Sequence, residues 1–328
     1  MTRNSIACFI AASMYVSFAH AAPQVVLDLT PTIVNDAKLT APVGPKSSGA
    51  AVLRAQILLD RARFSPGEID AIYGSNMAKA ISGFQRANAL EVTGTVDEAT
   101  WAMLNRDAFP ALATYTISAI DVAGPFQPIP ADMVEKSKLP ALNFGSPAEA
   151  LGEKFHTSPA LLKLLNADKE LSRAGEEIVV PNVSQPVANG MKAARIVVDK
   201  SDLTIIVLDA VGKVLAQFPA STGSEHDPLP IGTWKINGVK KYPTFHYNPK
   251  LFWDADPAHS KAKIPSGPNN PVGAVWIDLS KDHYGIHGTP EPSKVGKTES
   301  HGCIRMTNWD ALALAELVSP GVETILRE

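Results

Sequence analysis

The sequence predicts a multidomain α+β chain, and three observations carry that expectation. Helical periodicity runs from Ala51 to about Leu104, a strand, helix, helix, strand pattern follows over 113–183, and β-branched runs dominate from residue 193 until one closing helix. At 328 residues the chain is longer than the roughly 250 at which a single core stops growing, so two or three domains are expected. A hydrophobic content of 45% and a charged content of 19% place it with ordinary globular proteins. The formal net charge of −3, with no Lys/Arg run, excludes nucleic acid as a partner, since binding phosphates needs a clustered basic surface.

The first element in chain order is a leader. MTRNSIACFIAASMYVSFAHAAP has a positive start at Arg3, an apolar stretch from Ile6 to Phe18, and small residues at Ala19 and Ala21. This three-part pattern predicts a signal peptide over 1–21 and export to the periplasm or cell wall. The apolar stretch is broken by Ser13, Tyr15 and Ser17 and is too short for a membrane anchor, so no transmembrane segment is expected in the mature chain. Cys8 would leave with the leader, and the mature chain would hold one cysteine, Cys303. A lone thiol in an oxidising compartment cannot form an internal disulfide and is a liability unless it reacts. It is therefore a candidate nucleophile, with an inert buried cysteine as the alternative.

Residues 22–49 mix Pro, Thr, Ser and Gly without a sustained period and are expected to be a linker, with a short strand at Val25 to Leu29. The helical module assigned to 50–106 shows Leu53, Ile57 and Leu58 at helix spacing, then Ile81 and Phe84, then a third helix capped by Asp97 and carrying Trp101 and Leu104. The Ile69-Asp70-Ala71-Ile72-Tyr73-Gly74 turn, the Phe84-Gln85 pair and Gly94-x-x-Asp97-x-x-Thr100-Trp101 resemble the three-helix peptidoglycan-binding domain. That resemblance implies binding to glycan strands or stem peptides.

In the middle segment, YTISAI and EEIVVPN read as strands. Ser146-Pro147-Ala148-Glu149 is a capping box with Pro at the first helical position, and Ser158-Pro159 opens a second helix. This βααβ order over 113–183 is similar to a LysM module, with a long insert between Ala119 and Gly145. Another linker is expected over 183–192.

From 193 to 328 the pattern is mainly β: ARIVVD, LTIIVLD and VLAQFPAST are β-branched runs separated by turns, and Thr307 or Asn308 can cap the final helix. Residues 242–272 form a Pro- and aromatic-rich insert long enough to be an active-site lid. Residues 283–306, HYGIHGTPEPSKVGKTESHGCIRM, concentrate His283, His287, His301, Cys303 and Arg305. A thiol of free pKa about 8.5 is mostly protonated at neutral pH, so an imidazole must deprotonate it or stabilise its anion. His301 stands two positions from Cys303, on the same face of an extended segment, and His287 lies sixteen positions earlier. Gly302 lets backbone N–H groups approach a reacting carbonyl.

His287-Gly288-Thr289 followed by Ser300-His301-Gly302-Cys303-Ile304-Arg305 resembles the signature of the L,D-transpeptidase catalytic domain of the YkuD or ErfK type. Ser221-Thr222-Gly223 and Pro230-Ile231-Gly232-Thr233-Trp234 match upstream family segments. The resemblance implies a β-sandwich-like barrel with Cys303 as nucleophile and His287 as general base. It also implies a substrate and oxyanion environment from Ser300, His301, Gly302, Arg305 and Gly288, and no cofactor. The implied reaction is thioester formation at the third, diaminoacid residue of a tetrapeptide stem, resolved by an amine to crosslink the wall. Water or an envelope protein as acceptor would make the enzyme a carboxypeptidase or a protein-anchoring enzyme.

Three rival readings compete with this one. A zinc site would use His287, His301, Cys303 and perhaps His283, but the flanking glycines and Arg305 suit an anionic acyl-transfer site better, and the expectation is no metal. A decayed, non-enzymatic wall-binding protein is disfavoured by the intact set of site residues. A Ser-His-Asp hydrolase lacks its G-x-S-x-G elbow.

Overall fold

The computed structural model describes residues 28–183, 190–300 and 302–328. The expected leader over 1–21, residues 184–189 of the second linker, and His301 lie outside the described residues.

The first module holds α1 (Pro31–Val34), α2 (Ala50–Arg61), α3 (Ser75–Ala87) and α4 (Glu98–Leu104). Its core joins Val52 and Leu58 of α2 to Met77, Ile81 and Phe84 of α3 and to Trp101 and Leu104 of α4. The expected cap is present: the Asp97 carboxylate accepts from Thr100 N at 2.8 Å. Fully buried Gln85 donates to Thr95 O at 2.8 Å and accepts from Thr93 N at 2.9 Å, which folds the following loop back onto α3. The stretch expected as a linker is packed where it is described. Leu29 and Val34 are buried, and the Asn35 side chain bonds both backbone groups of Leu112, at 3.0 and 2.8 Å. Its apolar residues are too few and too widely spaced to show a period, so only the fold reveals their burial.

The second module runs β1 (Leu112–Thr116), α5 (Met133–Ser137), α6 (Pro147–Lys154), α7 (Pro159–Leu165) and β2 (Glu177–Pro181), with β1 and β2 antiparallel. Ser146 and Ser158 cap α6 and α7, each followed by Pro in the first turn. The helices lay Leu151, Phe155 and Leu162 on Ile178 and Val180. The long insert supplies α5.

The third module contains β3 (Arg195–Asp199), β4 (Thr204–Leu208), β5 (Val214–Pro219), β6 (Gly232–Lys241), β7 (Phe245–Tyr247), β8 (Ala262–Ile264), β9 (Val275–Leu279), β10 (Gly285–His287), β11 (Ile304–Arg305), α8 (Asn308–Leu317) and β12 (Glu323–Arg327). Eight of these strands form one sheet in the order β11-β10-β9-β6-β12-β3-β4-β5. Its two edges meet just past β5, where Ser221 N donates to Arg305 O at 2.8 Å and Arg305 N to Ser221 O at 2.9 Å. That contact curls the sheet into a barrel-like closure, which also satisfies edge groups that would otherwise lie open. Ala311, Leu314 and Leu317 of α8 pack into its core with Ile196, Ile205, Ile277, Ile286 and Ile304. Thr307 caps α8 by accepting from Asp310 N, as expected.

The 242–272 insert is not a bare lid. β7 and β8 pair as a small hairpin, and Tyr247 and Ile264 bury against Leu142 of the second module's insert. Its outer part carries Trp253, whose ring stacks on His226 at 4.4 Å. The modules also interlock elsewhere. Gln217 of β5 donates to Lys79 O at 2.8 Å in the first module, and Ile69 N donates to His156 O at 2.8 Å between the first and second. Among the described residues no helix is long and apolar enough to cross a membrane.

Candidate active site

Two short parallel strands set out the site. β10 and β11 pair Ile286 with Ile304 and His287 with Arg305. Both isoleucines are fully buried in the barrel core. Side chains alternate across a strand, so His287 and Arg305 stand on the opposite face; Cys303 directly precedes β11, and its sulfur is met by the Gly285 backbone of β10. The sequence reading paired Cys303 with His301 on one face, and His301 lies outside the described residues. His287, sixteen positions upstream, is brought beside Arg305, two residues past Cys303, because the intervening loop returns the chain in parallel register.

Gly285 is required by its neighbour: a Cβ there would sit 2.5 Å from the Trp276 ring. Trp276, opposite His287 on β9, stacks on the imidazole with centroids 5.7 Å apart and planes 17° from parallel. The indole thus fixes the ring plane of His287 over a floor that only glycine leaves open.

The imidazole Nδ1 lies 2.6 Å from the Gly288 carbonyl oxygen. A carbonyl only accepts, so Nδ1 carries the proton and Nε2 keeps a lone pair able to act as a base. Burial pushes the His287 pKa down to about 4, helped by the charge of Arg305, while the Gly288 hydrogen bond opposes the shift. Burial pushes the Cys303 thiol up to about 11; the hydrogen bond from the Gly285 backbone opposes this, and the negative charge of Asp227 adds to it. The thiol donates weakly to His283 O at 3.7 Å. The resting pair is therefore a neutral thiol and a neutral imidazole. Of the two routes the sequence leaves open, proton removal by the imidazole or stabilisation of a standing anion, the burial of both groups favours the first, because desolvation penalises each charged form.

The residues around the pair order the loop before Cys303. Ser300 Oγ donates to Cys303 O at 2.5 Å, closing the turn from the inside. Gly302 has φ +87°, and a Cβ on it would meet the Tyr284 ring at 3.0 Å. Arg305 Nη2 donates to Thr298 Oγ1 and to Glu299 O, both at 2.8 Å, so this guanidinium braces the loop. Gly288 presses against the Asn308 side chain, with Oδ1 only 2.2 Å from where a Cβ would lie. Among the described residues no three His, Cys, Asp or Glu side chains converge as a metal cage.

Tyr284, Trp276, Asp227 and Asn308 escape a sequence reading. Tyr284 adjoins a singled-out histidine and offered a faint signal. The other three reach the site only through β9, the loop after β5 and the start of α8.

Comparison with known proteins decides the family. The model for the L,D-transpeptidase catalytic domain matches residues 193–326, and that for a "Putative peptidoglycan binding domain" matches 48–104. The "Putative L,D-transpeptidase YkuD" of Bacillus licheniformis is 31% identical over 181 residues, covering 54% of this chain and 91% of that protein. The chain belongs to the L,D-transpeptidase family. A Bacillus subtilis protein of the same description is 28% identical over 183 residues, covering 56% of this chain and 94% of its own length. Among solved structures, an L,D-transpeptidase from Mycobacterium smegmatis aligns at 21% identity and a TM-score of 0.34, covering 49% of this chain and 76% of that one. In this L,D-transpeptidase the family-matched segment spans all but the last residue of the curled sheet, together with His287 on β10, Cys303 just before β11, and α8.

Proposed function

We propose that this L,D-transpeptidase is a cysteine acyltransferase that remodels peptidoglycan outside the cytoplasmic membrane, with Cys303 as nucleophile and His287 as general base. The reading is supported by the parallel pairing of β10 with β11, which sets His287 beside Arg305, two residues past Cys303, and by Nδ1 of His287 being tied to Gly288 O, which leaves Nε2 as the basic atom.

As the sulfur attacks the carbonyl of the third, diaminoacid residue of a tetrapeptide stem, Nε2 takes the thiol proton. Two neutral groups exchange a proton as the S–C bond forms, so charge separates only while the new oxyanion is stabilised. Backbone N–H groups of Gly302 and Cys303, shaped by the Ser300 bond to Cys303 O and by the left-handed Gly302, supply that stabilisation. The imidazolium then gives its proton to the departing D-alanine amine, leaving a thioester. An acceptor amine loses a proton to Nε2, attacks the thioester and frees the thiol, giving a crosslink. Arg305 holds the loop and contributes positive charge for a stem carboxylate. The modules over 50–106 and 113–183 keep the catalytic unit on the wall.

The test is incubation with defined tetrapeptide muropeptides followed by mass spectrometry of protein and products. A thioester on Cys303 and a crosslinked product are expected, and both should vanish in Cys303→Ala and His287→Ala. Hydrolysed or protein-linked product would instead identify water or an envelope protein as acceptor. A protein that binds wall fragments yet never gains the acyl mass would refute the enzymatic reading.

A further inference from the structure

The second module touches the catalytic dyad's support through one carboxamide. Asn308, only 1% exposed, opens α8. Its Oδ1 accepts from Ala274 N at 2.9 Å, and it occupies the space that side chains on Gly273 and Gly288 would need, 2.1 and 2.2 Å from their Cβ positions. Gly273 is close enough that its Cβ would come 2.5 Å from the carbonyl carbon of Gly288. Two backbone segments, 273–274 and 288, therefore converge on one side chain, and the second carries the carbonyl that accepts from His287 Nδ1. The other end of the carboxamide donates to Pro268 O and to Glu153 Oε1, both at 3.1 Å. Glu153 belongs to α6 of the second module. Trp309, the next residue on α8, stacks on His156 of the same module at 5.3 Å, so this first helical turn is held from outside the catalytic domain twice.

We propose that Glu153 and Asn308 are positioning residues for His287: Glu153 locks the Asn308 carboxamide, which holds the Gly288 carbonyl where it selects the Nδ1–H tautomer. The second module is thereby part of the catalytic unit as well as a wall tether. Removing the acceptor on Glu153 leaves Asn308 held by the Nδ2 bond to Pro268 O and the Oδ1 bond from Ala274 N, so the carboxamide is less firmly fixed and Gly288 can shift with it. A carbonyl displaced by a fraction of an ångström no longer favours one tautomer, and the fraction of enzyme with a basic Nε2 falls. The Glu153 carboxyl is kept largely neutral by its burial, its pKa raised to about 8, so it serves as a hydrogen-bond partner without placing a charge beside the site.

The inference rests on His287 being the base, and the experiment separates the two ideas. Glu153→Met keeps the length and burial of the side chain and removes the acceptor; Glu153→Gln keeps Oε1. The imidazole 15N shifts of His287 report its tautomer without any reaction, and the rate of acylation by imipenem, followed by intact mass, reports function. The wild type and Glu153→Gln should show the Nδ1–H form alone and rates within about twofold of each other. Glu153→Met should show mixed tautomers and acylation slower by roughly tenfold. Asn308→Asp, which keeps Oδ1 but loses both Nδ2 bonds, should reproduce the mixing and serves if Glu153→Met does not fold. A single Nδ1–H tautomer with unchanged acylation in a folded Glu153→Met or Asn308→Asp protein overturns the proposal. A wild type that imipenem does not acylate would count against the cysteine mechanism, and the 15N shifts would still judge the brace.

Discussion

His287 gives its Nδ1 proton to the carbonyl of Gly288, its own neighbour in the chain, at 2.6 Å. A carboxylate in that position would favour imidazolium; an uncharged carbonyl fixes the tautomer and leaves the ring neutral.

The pH dependence of acylation follows from this. With His287 lowered to about 4 and Cys303 raised to about 11, the neutral base is available at every pH above about 5. The acylation rate should rise through pH 4, stay level across neutrality, and climb again only as the thiol ionises near 11. Rates measured by intact mass from pH 4 to 10 provide the check. A plateau that begins only near pH 7 would mean that the ring is charged at rest.

Gly288→Ala should be costly although glycine is not needed there for a left-handed backbone. The added methyl would meet Asn308 Oδ1 at 2.2 Å, and that amide is already bonded at both ends. Overpacking of this kind costs about 1–3 kcal/mol. Thermal unfolding should show the loss, and acylation should fall by more than stability alone explains.

Asp310 predicts a stability signature. It lies buried on α8, accepts from Ser65 Oγ at 3.0 Å, and has its pKa raised to about 7 by burial and by the nearby charge of Asp60. An acid whose folded pKa is raised binds more protons folded than unfolded, so its contribution declines as pH rises from about 4 to 7 and is level beyond. Asp310→Asn keeps the Ser65 bond and cannot ionise. Its stability relative to the wild type should therefore improve across that range and then stay constant in denaturant titrations at successive pH values. A pH-independent difference would show that Asp310 is ordinary in its titration.

Gln217 joins the first module to the barrel. It donates to Lys79 O at 2.8 Å, its own backbone accepts from Ser65 N at 2.9 Å, and its amide fills the space beside Gly83. Gln217→Ala should destabilise the docked state by about 1–2 kcal/mol, through loss of a cross-module hydrogen bond and of the packing beside Gly83. Differential scanning calorimetry should show the first module melting earlier than the barrel. One unshifted transition would mean that other contacts hold the modules together.

Much of this architecture is legible residue by residue. Asp97, Ser146, Ser158 and Thr307 act as caps because a short polar side chain before a helical run meets the same free N–H groups wherever it occurs. The β-branched runs after 193 are strands because alternate or continuous burial leaves a mark on local sequence. The packed segment around Val34 and the hairpin in the 242–272 insert are not legible: their burial comes from partners in other modules, Leu112 and Leu142 among them.

The sequence by itself determined the family, the order of its modules, and Cys303 and His287 as the pair worth watching, because short motifs with fixed spacing record chemistry directly. The tertiary structure alone decided how those two groups rest. Their charge states depend on how much water the surrounding strands exclude, and on Trp276, Asp227, Gly288 and Asn308 arriving from distant parts of the chain. Desolvation is a property of the assembled volume, and no local stretch of sequence records it.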